Sequence, residues 1–519
     1  MGISFLKNKH IMKRYIFSIV SLFAALGSYA QQDLNTAADA VRYSTSNLNG
    51  TARFRGMSGA FGAVGGDLSA IMVNPAGSAI FNFNSGTASL SSYNISNSSN
   101  YFGTTTKKND NALDLNQIGA VFVFNNGNPD AVMRKFTVGF NYENTNSFQN
   151  TISSRGTNPN NSIDQYFLRY ANGIGNEGGI TLGTLNNANY NNLSYIDQQA
   201  YLGYNTYIIN PVNPGDANNT SYVSNIPNTG NYYQENHVLS TGYNGKVALN
   251  FGTQLKDRLY LGANLNIHFT DYIQTSTFRE NTNNPAATGM QSIRFDNERY
   301  TYGGGFSFNI GGIYKITEAF RAGIAYESPT WMRLQDEISQ RLASNCPECA
   351  ANNTASTFIV NPGMAFVFDS YTIKTPSKWT ASAAYVFGKN ALLSVDYSIK
   401  DYSNTEYKSS RYSAINTELS NTLDVANEVR VGLEYRIKKF SLRGGYRYEQ
   451  SPYKNGTTIG DLNGASAGLG YAFNGSRLDL GYSWYERTMD TPLLTAGFTD
   501  AARVKSTNNN VTLSYTIDL

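Results

Sequence analysis

The sequence predicts an all-β protein: a transmembrane antiparallel β-barrel of about fourteen strands with an N-terminal hatch in its lumen. Three observations predict it. Apolar and polar residues alternate strictly over much of the chain, the links between alternating runs are short and long by turns, and the N-terminus carries an export-type leader.

The leader comes first. Lys7, Lys9, Lys13 and Arg14 precede an apolar run from Tyr15 to Leu26, and Ser28-Tyr29-Ala30 follows just before Gln31. A basic segment, a short apolar segment and a small-residue site make residues 1–30 an expected signal peptide. The run is too short for a membrane anchor, which needs roughly 20 apolar residues. Met12, followed by Lys13-Arg14, reads as the more natural start.

Residues 31–83 are the expected hatch. A short helix is expected over Thr36–Tyr43, followed by Gly50, Gly56, Gly59, Gly62, Gly65 and Gly66, and then Asn74-Pro75-Ala76-Gly77. So many glycines make a poor strand. Irregular backbone at membrane depth is tolerated only inside protein or beside water, and the lumen offers that place.

The barrel is expected over residues 84–519. Leu393, Val395, Tyr397 and Ile399 share one face against Ser394, Asp396 and Ser398. Leu261, Ala263, Leu265 and Ile267 likewise oppose Asn264, Asn266 and His268, and Val511 to Leu519 alternate with Thr512 to Asp518. A soluble sandwich also alternates, but its connections have no reason to follow parity. Here Lys256-Asp257, Thr317-Glu318, Lys389-Asn390, Lys438-Lys439 and Gly475-Ser476 are tight, whereas 277–292, 337–359, 409–423, 452–463 and 491–506 are long and polar. Short turns on one rim and long loops on the other mark a membrane barrel. Residues 150–236 break the pattern and are expected outside the cell, with a short helix over Asp164–Ala171.

Charge and cysteines exclude more than they assign. Four of the 40 Lys and Arg lie in the leader, leaving 36 against 37 acids, so no basic face for nucleic acid is expected. Tyr 37 and Phe 28 against Trp 3 suit interfacial girdles. Cys346 and Cys349 read most simply as a small loop disulfide or a bland loop, since neither a second ligand pair nor a βαβ context is present.

The segment Gly56–Gly77 resembles the hatch of the FadL/TodX-type transporters, which carry long-chain fatty acids and aromatic hydrocarbons across the outer membrane of Gram-negative bacteria. Asp67, Ser69, Asn74, Pro75, Ala76 and Gly77 match its D-x-S-x-x-x-x-N-P-A-G pattern. Phe320–Glu337, Ile373–Ser403, Val429–Tyr453 and Gly468–Glu486 resemble successive strands of the same family. The resemblance implies a fourteen-stranded barrel, a periplasmic plug, and a lateral gap at a kinked third strand, here about Arg134–Gln149. With Gly66 the matching residues are the candidate hatch and gating residues, Asn holding a turn and Pro fixing its backbone.

The function expected is uptake of hydrophobic compounds through a plugged outer-membrane barrel; a diffusion porin or a surface adhesion barrel is the alternative. Partners implied are a hydrophobic small molecule, outer-membrane lipid and lipopolysaccharide, and the barrel-assembly machinery; no cofactor or metal is expected. Tyr166, Phe167, Tyr170, Tyr190, Tyr201 and Tyr207 read equally well as an outer apolar groove or as loops packed on one another. Lumenal Arg430, Arg436, Arg443 and Arg447 are expected to pair with Glu434 and Glu449 more than to await a carboxylate. An enzyme is not expected: Gly464-Ala-Ser466-Ala-Gly468 leads into a strand, whereas a nucleophile elbow leads into a helix.

Overall fold

The computed structural model describes residues 36–519 apart from 129, 175–177, 284–288 and 350–355, so the expected signal over 1–30 lies outside the described residues. Fourteen antiparallel wall strands follow in chain order. They are β1 (Ser85–Tyr101), β2 (Thr104–Asn125), β3 (Met133–Ser147), β4 (Tyr232–Leu255), β5 (Leu259–Asn281), β6 (Ser292–Lys315) and β7 (Phe320–Glu327, resuming as Trp331–Asn345). The rest are β8 (Tyr371–Lys374 and Lys378–Phe387), β9 (Ala391–Asp401), β10 (Val425–Ile437), β11 (Phe440–Glu449), β12 (Ile459–Ala472), β13 (Ser476–Pro492) and β14 (Ala501–Asp518). Each pairs with its neighbour, and β14 returns to β1 in a register from Ser85↔Asp518 to Asn100↔Arg503. Closure removes both edges, so the backbone polar groups of the spanning strands find partners away from water.

Alternation decides which side each residue faces. Leu393, Leu433, Leu442, Leu480 and Leu513 are exposed on the outer surface, while Ser394, Asp396, Glu434, Arg443 and Thr512 are buried inside. Exposed aromatics form two belts: Phe124, Tyr314, Phe387, Phe440 and Phe473 near the short turns, and Trp379, Tyr397, Tyr446 and Tyr482 farther up the wall. That is the dress of a lipid-facing band between two interfaces. Among the described residues no helix is long and apolar enough to cross a membrane. We expect Leu513→Arg, a charge placed in this band, to destabilise the folded barrel by about 2–4 kcal/mol in a urea titration from lipid vesicles, and Thr512→Arg, facing inward, to leave the outer band intact.

Two regions differ from expectation. The first hairpin is far longer than its apolar residues suggest. β1 and β2 run on to a two-residue turn at Phe102-Gly103, both with positive φ (43° and 81°). The residues above the membrane need no apolar outer face, so the alternation fades there while the pairing persists. The expected outer loop of 150–236 is in turn shorter: Asn150–Asn158 and the start of β4 are paired strand. Between them a cap carries three helices, Asp164–Ala171, Leu182–Asn187 and Tyr195–Asn205, the first as expected. Tyr166, Phe167 and Tyr170 are buried in the cap, with Tyr166 and Phe167 packed on Phe295 at 5.8 and 5.6 Å. For these three the packed-loop reading holds. Tyr190, Tyr201 and Tyr207 are half-buried. Cys346 and Cys349 are disulfide-bonded with Cα atoms 5.4 Å apart, and Cys346 is buried against the cap. A further helix, Ser413–Thr422, stands where a plain polar loop was expected.

Candidate functional site

The N-terminal segment threads the lumen from top to bottom. Helix α1 (Ala37–Ser44) begins at Thr36, whose hydroxyl caps Asp39 N–H while the Asp39 carboxylate accepts from Thr36 N–H, a complete capping box. It packs beneath the cap against Tyr272, Tyr407 and Leu419. The chain then descends as an extended strap over residues 45–50 and compacts into a cork made of α2 (Ala52–Gly56), α3 (Ala70–Val73) and a 3₁₀ turn, Pro75–Ile80. From there it leaves on the short-turn side into β1.

The candidate hatch residues all lie in this cork. Asp67 accepts from Thr51 Oγ1 (2.8 Å) and Ser69 N–H (3.0 Å), and Ser69 Oγ accepts from Thr51 N–H (2.8 Å). Asn74 Oδ1 accepts from Ala76 N–H (3.1 Å), starting the turn whose first residue is Pro75. Its amide donates to Gly62 O (2.7 Å) and, across to the wall, to Gly312 O (3.1 Å). Gly66 N–H bonds Gly77 O at 3.0 Å, joining the two ends of the motif.

The wall is moulded to the cork by glycine, a feature the sequence reading missed. Lumen-facing Gly252, Gly262 and Gly311 are cross-strand neighbours on β4, β5 and β6. A Cβ on Gly262 would sit 2.3 Å from Pro75 C, and one on Gly311 would sit 2.2 Å from Asn74 Oδ1. Gly323, Gly432, Gly445, Gly468 and Gly481 meet the cork in the same way around the ring. A glycine inside a strand marks close backbone approach, so the signal was present in the sequence although its partner was not.

Charges complete the fit. Arg53 of α2 forks onto Glu434 (2.8 Å), which also holds Arg443 (2.8 Å) and Arg436 (2.7 Å). Asp396 on β9 accepts from Phe61 and Gly62 N–H, both at 3.0 Å. Arg430 and Arg447 both reach Glu428, at 2.6 and 2.8 Å, so the expected mutual pairing of lumenal charges is what the structure has.

Above the cork the wall is incomplete. Backbone pairing of β2 with β3 stops at Gln117↔Glu143, although β2 continues upward for thirteen residues to Thr104. β3 slips register at Asn144/Asn146, breaks after Ser147 and resumes as Asn150–Asn158 against β4. The kink thus falls within the third strand, as the resemblance implied. In place of the backbone ladder, bonds that involve a side chain cross here: Asn144 to Asp114, Thr151 N–H and Oγ1 to Asp110 at 2.6 and 2.8 Å, Asn97 Nδ2 to Thr151 O (2.8 Å) and Ser99 Oγ to Ser154 Oγ (2.7 Å). Behind it lies the strap, with Asn47 N–H on Thr145 O (2.9 Å) and Asn49 Nδ2 on Asn144 O (2.6 Å). A cavity of about 150 Å³ adjoins, lined by Asn47, Thr145, Phe269 and Met332 on one side and by Lys378 and Lys400 on another.

The serine of the Gly-x-Ser-x-Gly pattern and the lumenal histidine lie apart from one another in the wall. Ser466 lies mid-strand with Oγ 2.8 Å from Ser58 Oγ, and no helix follows it. His268 Nε2 is 2.8 Å from Ser307 Oγ, but Ser307 is fully buried and does not line the cavity.

A closed barrel with exposed aromatic belts, a corked lumen and a slit in one wall defines an outer-membrane transport channel. The model of the family described as "Outer membrane protein transport protein (OMPP1/FadL/TodX)" matches residues 187–516, and the chain belongs to that family. Among solved structures, a FadL homologue of Pseudomonas aeruginosa is 13% identical, with 91% of this chain and 99% of that one covered at a TM-score of 0.53. A deltaS2 mutant of the TodX monoaromatic hydrocarbon channel gives 13%, 91%, 100% and 0.51. The Pseudomonas putida toluene transporter TodX gives 13%, 92%, 100% and 0.48. At such identity the first two likenesses concern the fold. No curated protein matches the sequence.

Proposed function

We propose that the protein passes hydrophobic compounds, long-chain fatty acids or aromatic hydrocarbons, through the outer membrane passively, as a channel and not an enzyme. The observation that carries this reading is the slit above Gln117 and Glu143, with the strap directly behind it and an internal cavity beyond that shares Asn47, Asn49 and Thr145 with the strap contacts. β2 pairs with β3 for nine residues from its periplasmic end, so the slit begins roughly 20 Å up a tilted strand, near the outer edge of the hydrocarbon layer. A greasy solute leaving there meets acyl chains at once and avoids water. The ionisable lining of the cavity suits a ligand with a polar end.

Gly66, Asp67, Ser69, Asn74, Pro75, Ala76 and Gly77 serve in this reading as the fixed part of the hatch, which closes the axial route; the strap over 45–50 is the part that shifts. A corked lumen disfavours the porin alternative, because water-filled conduction needs an open axis. Outer-membrane lipid, lipopolysaccharide and the assembly machinery are the partners such a barrel meets.

The test closes the slit covalently. Both native cysteines are consumed in one disulfide and no free cysteine stands among the described residues, so Asp114→Cys with Asn144→Cys introduces the only free pair. Uptake of a fluorescent long-chain fatty acid by cells carrying this variant should fall to the background of cells lacking the protein on oxidation and return on mild reduction. Uptake that is equal in both states would contradict the lateral route.

A further inference from the structure

A second cavity, of about 420 Å³, opens on the short-turn side beneath the cork. Its roof is the cork loop Val64–Leu68 and the exit segment Ile80–Phe83, so Gly66 and Asp67 face it. Its walls bring together Arg321 of β7, Lys389 of the β8–β9 turn, Arg436 of β10 and Arg477 of β13. Arg436 and Arg477 already hold Glu434 and Asp479, at 2.7 and 2.5 Å. Arg321 does not: among the described residues its side chain makes one long hydrogen bond, to Val64 O (3.4 Å), and its buried Nε has no partner. Lys389 forms no ion pair or hydrogen bond among the described residues.

The acids of the cavity do not neutralise them. Asp67 is engaged by Thr51 and Ser69, Glu434 is shared by three arginines, and Asp518 sits exposed at the rim. A half-buried guanidinium with no ion pair among the described residues is unfavourable unless something occupies it. Its planar fork suits a carboxylate or a phosphate. Val64, Ile80, Phe83 and Leu392 add apolar surface beside the cations, so the cavity offers both what a headgroup and what the start of an acyl chain require.

We infer that this periplasmic vestibule binds the anionic headgroup of an amphiphile, a phosphate or a carboxylate, between Arg321 and Lys389. The site lies on the far side of the cork from the slit and does not rest on the transport reading. The anion has two sources, an acidic phospholipid of the inner leaflet or a free fatty carboxylate reaching the vestibule from the periplasm, and the test separates them.

Full-length protein in neutral detergent is titrated with dihexanoyl-phosphatidylglycerol, decanoate and, as the uncharged-overall control, dihexanoyl-phosphatidylcholine. At least one of the two anionic probes should bind about tenfold tighter than the control, and Arg321→Gln with Lys389→Gln should abolish that preference. Tighter phosphatidylglycerol points to leaflet lipid, and tighter decanoate to a free fatty carboxylate. Lys505→Gln, on the outer surface, should change nothing. If the double variant fails to fold, Lys389→Gln alone, in an exposed turn, should weaken the anion about threefold. Anions that bind no better than phosphatidylcholine, or that bind the folded variants as they bind the native chain, would overturn the inference.

Discussion

Gly262→Val should dislodge the cork and turn a closed channel into a leaky one. The added Cβ would fall 2.3 Å from Pro75 C and 2.5 Å from Ala76 N, both backbone atoms that cannot rotate away as a side-chain tip would. Overpacking a filled interior costs about 1–3 kcal/mol where side chains can yield, and here the neighbours on both sides are wall glycines or the cork itself. The strain therefore falls on the contacts that seat the cork: Asn250 Nδ2 to Pro75 O (3.0 Å), Ser78 Oγ to Thr137 Oγ1 (2.9 Å) and Asn74 to Gly312. Lost seating should appear in planar bilayers as ion conductance absent from the native protein. Gly86→Ala is the matched control, since its nearest neighbours would be 3.8 Å away. Conductance and thermal stability both unchanged in Gly262→Val would show that the belt does not hold the cork.

Asp39→Ala should free the upper half of the same segment without moving the cork. Asp39 is buried; it holds Arg299 of β6 at 2.9 Å and Arg42 of its own helix at 2.5 Å, while Arg299 is also held by Asp336 at 3.1 Å. Removing one partner from a buried charge network costs about 3–5 kcal/mol, because the remaining charges stay desolvated. Hydrogen exchange of the α1 amides should accelerate by at least about a hundredfold, since each 1.4 kcal/mol of local stability is worth a factor of ten. The amides of α2 and α3 should keep their protection. Burial alone would raise the Asp39 carboxyl, but Arg299 and then Arg42 outweigh it and hold it well below the usual carboxylate range. A depressed folded value contributes stability above the unfolded value of about 3.9, lost only as pH falls through the depressed one. The latch should therefore be indifferent to pH from neutrality down to about 5, and a strap that loosened between pH 7 and 5 would mean that Asp39 is not what holds it.

How much of this was legible in the chain depends on whether the partner of a residue lies close in sequence. The wall was legible because alternation is local: Leu393 to Ile399 declare a face with no knowledge of what lies opposite. Tight turns were legible for the same reason; Lys256 and Lys438 take positive φ (49° and 53°) in links that parity had already marked as short. The short helix expected over Thr36–Tyr43 stands as α1, Ala37–Ser44, although the capping box of Thr36 and Asp39 that starts it came to light only in the structure. The upper part of the first hairpin was not legible, because above the lipid its Asn, Ser, Lys and Asp residues need no apolar face and resemble a loop. The glycine belt was unreadable for a different reason. Gly262 and Pro75 are far apart in the chain, and only the closed ring brings the one against the other. The hatch motif was visible as a set of turn formers, but its seating by Glu434, Asp396 and eight strand glycines was not.

The most direct measurement staples the cork to the wall and asks whether cargo still moves. Ser78 Oγ and Thr137 Oγ1 are 2.9 Å apart, so Ser78→Cys with Thr137→Cys places two thiols within reach of a disulfide between the 3₁₀ turn and β3. Oxidised protein with this staple should take up the fluorescent fatty acid at the native rate, because the route runs sideways and the cork has no need to move. Uptake lost on oxidation and regained on reduction would place the path through the cork and contradict a lateral channel.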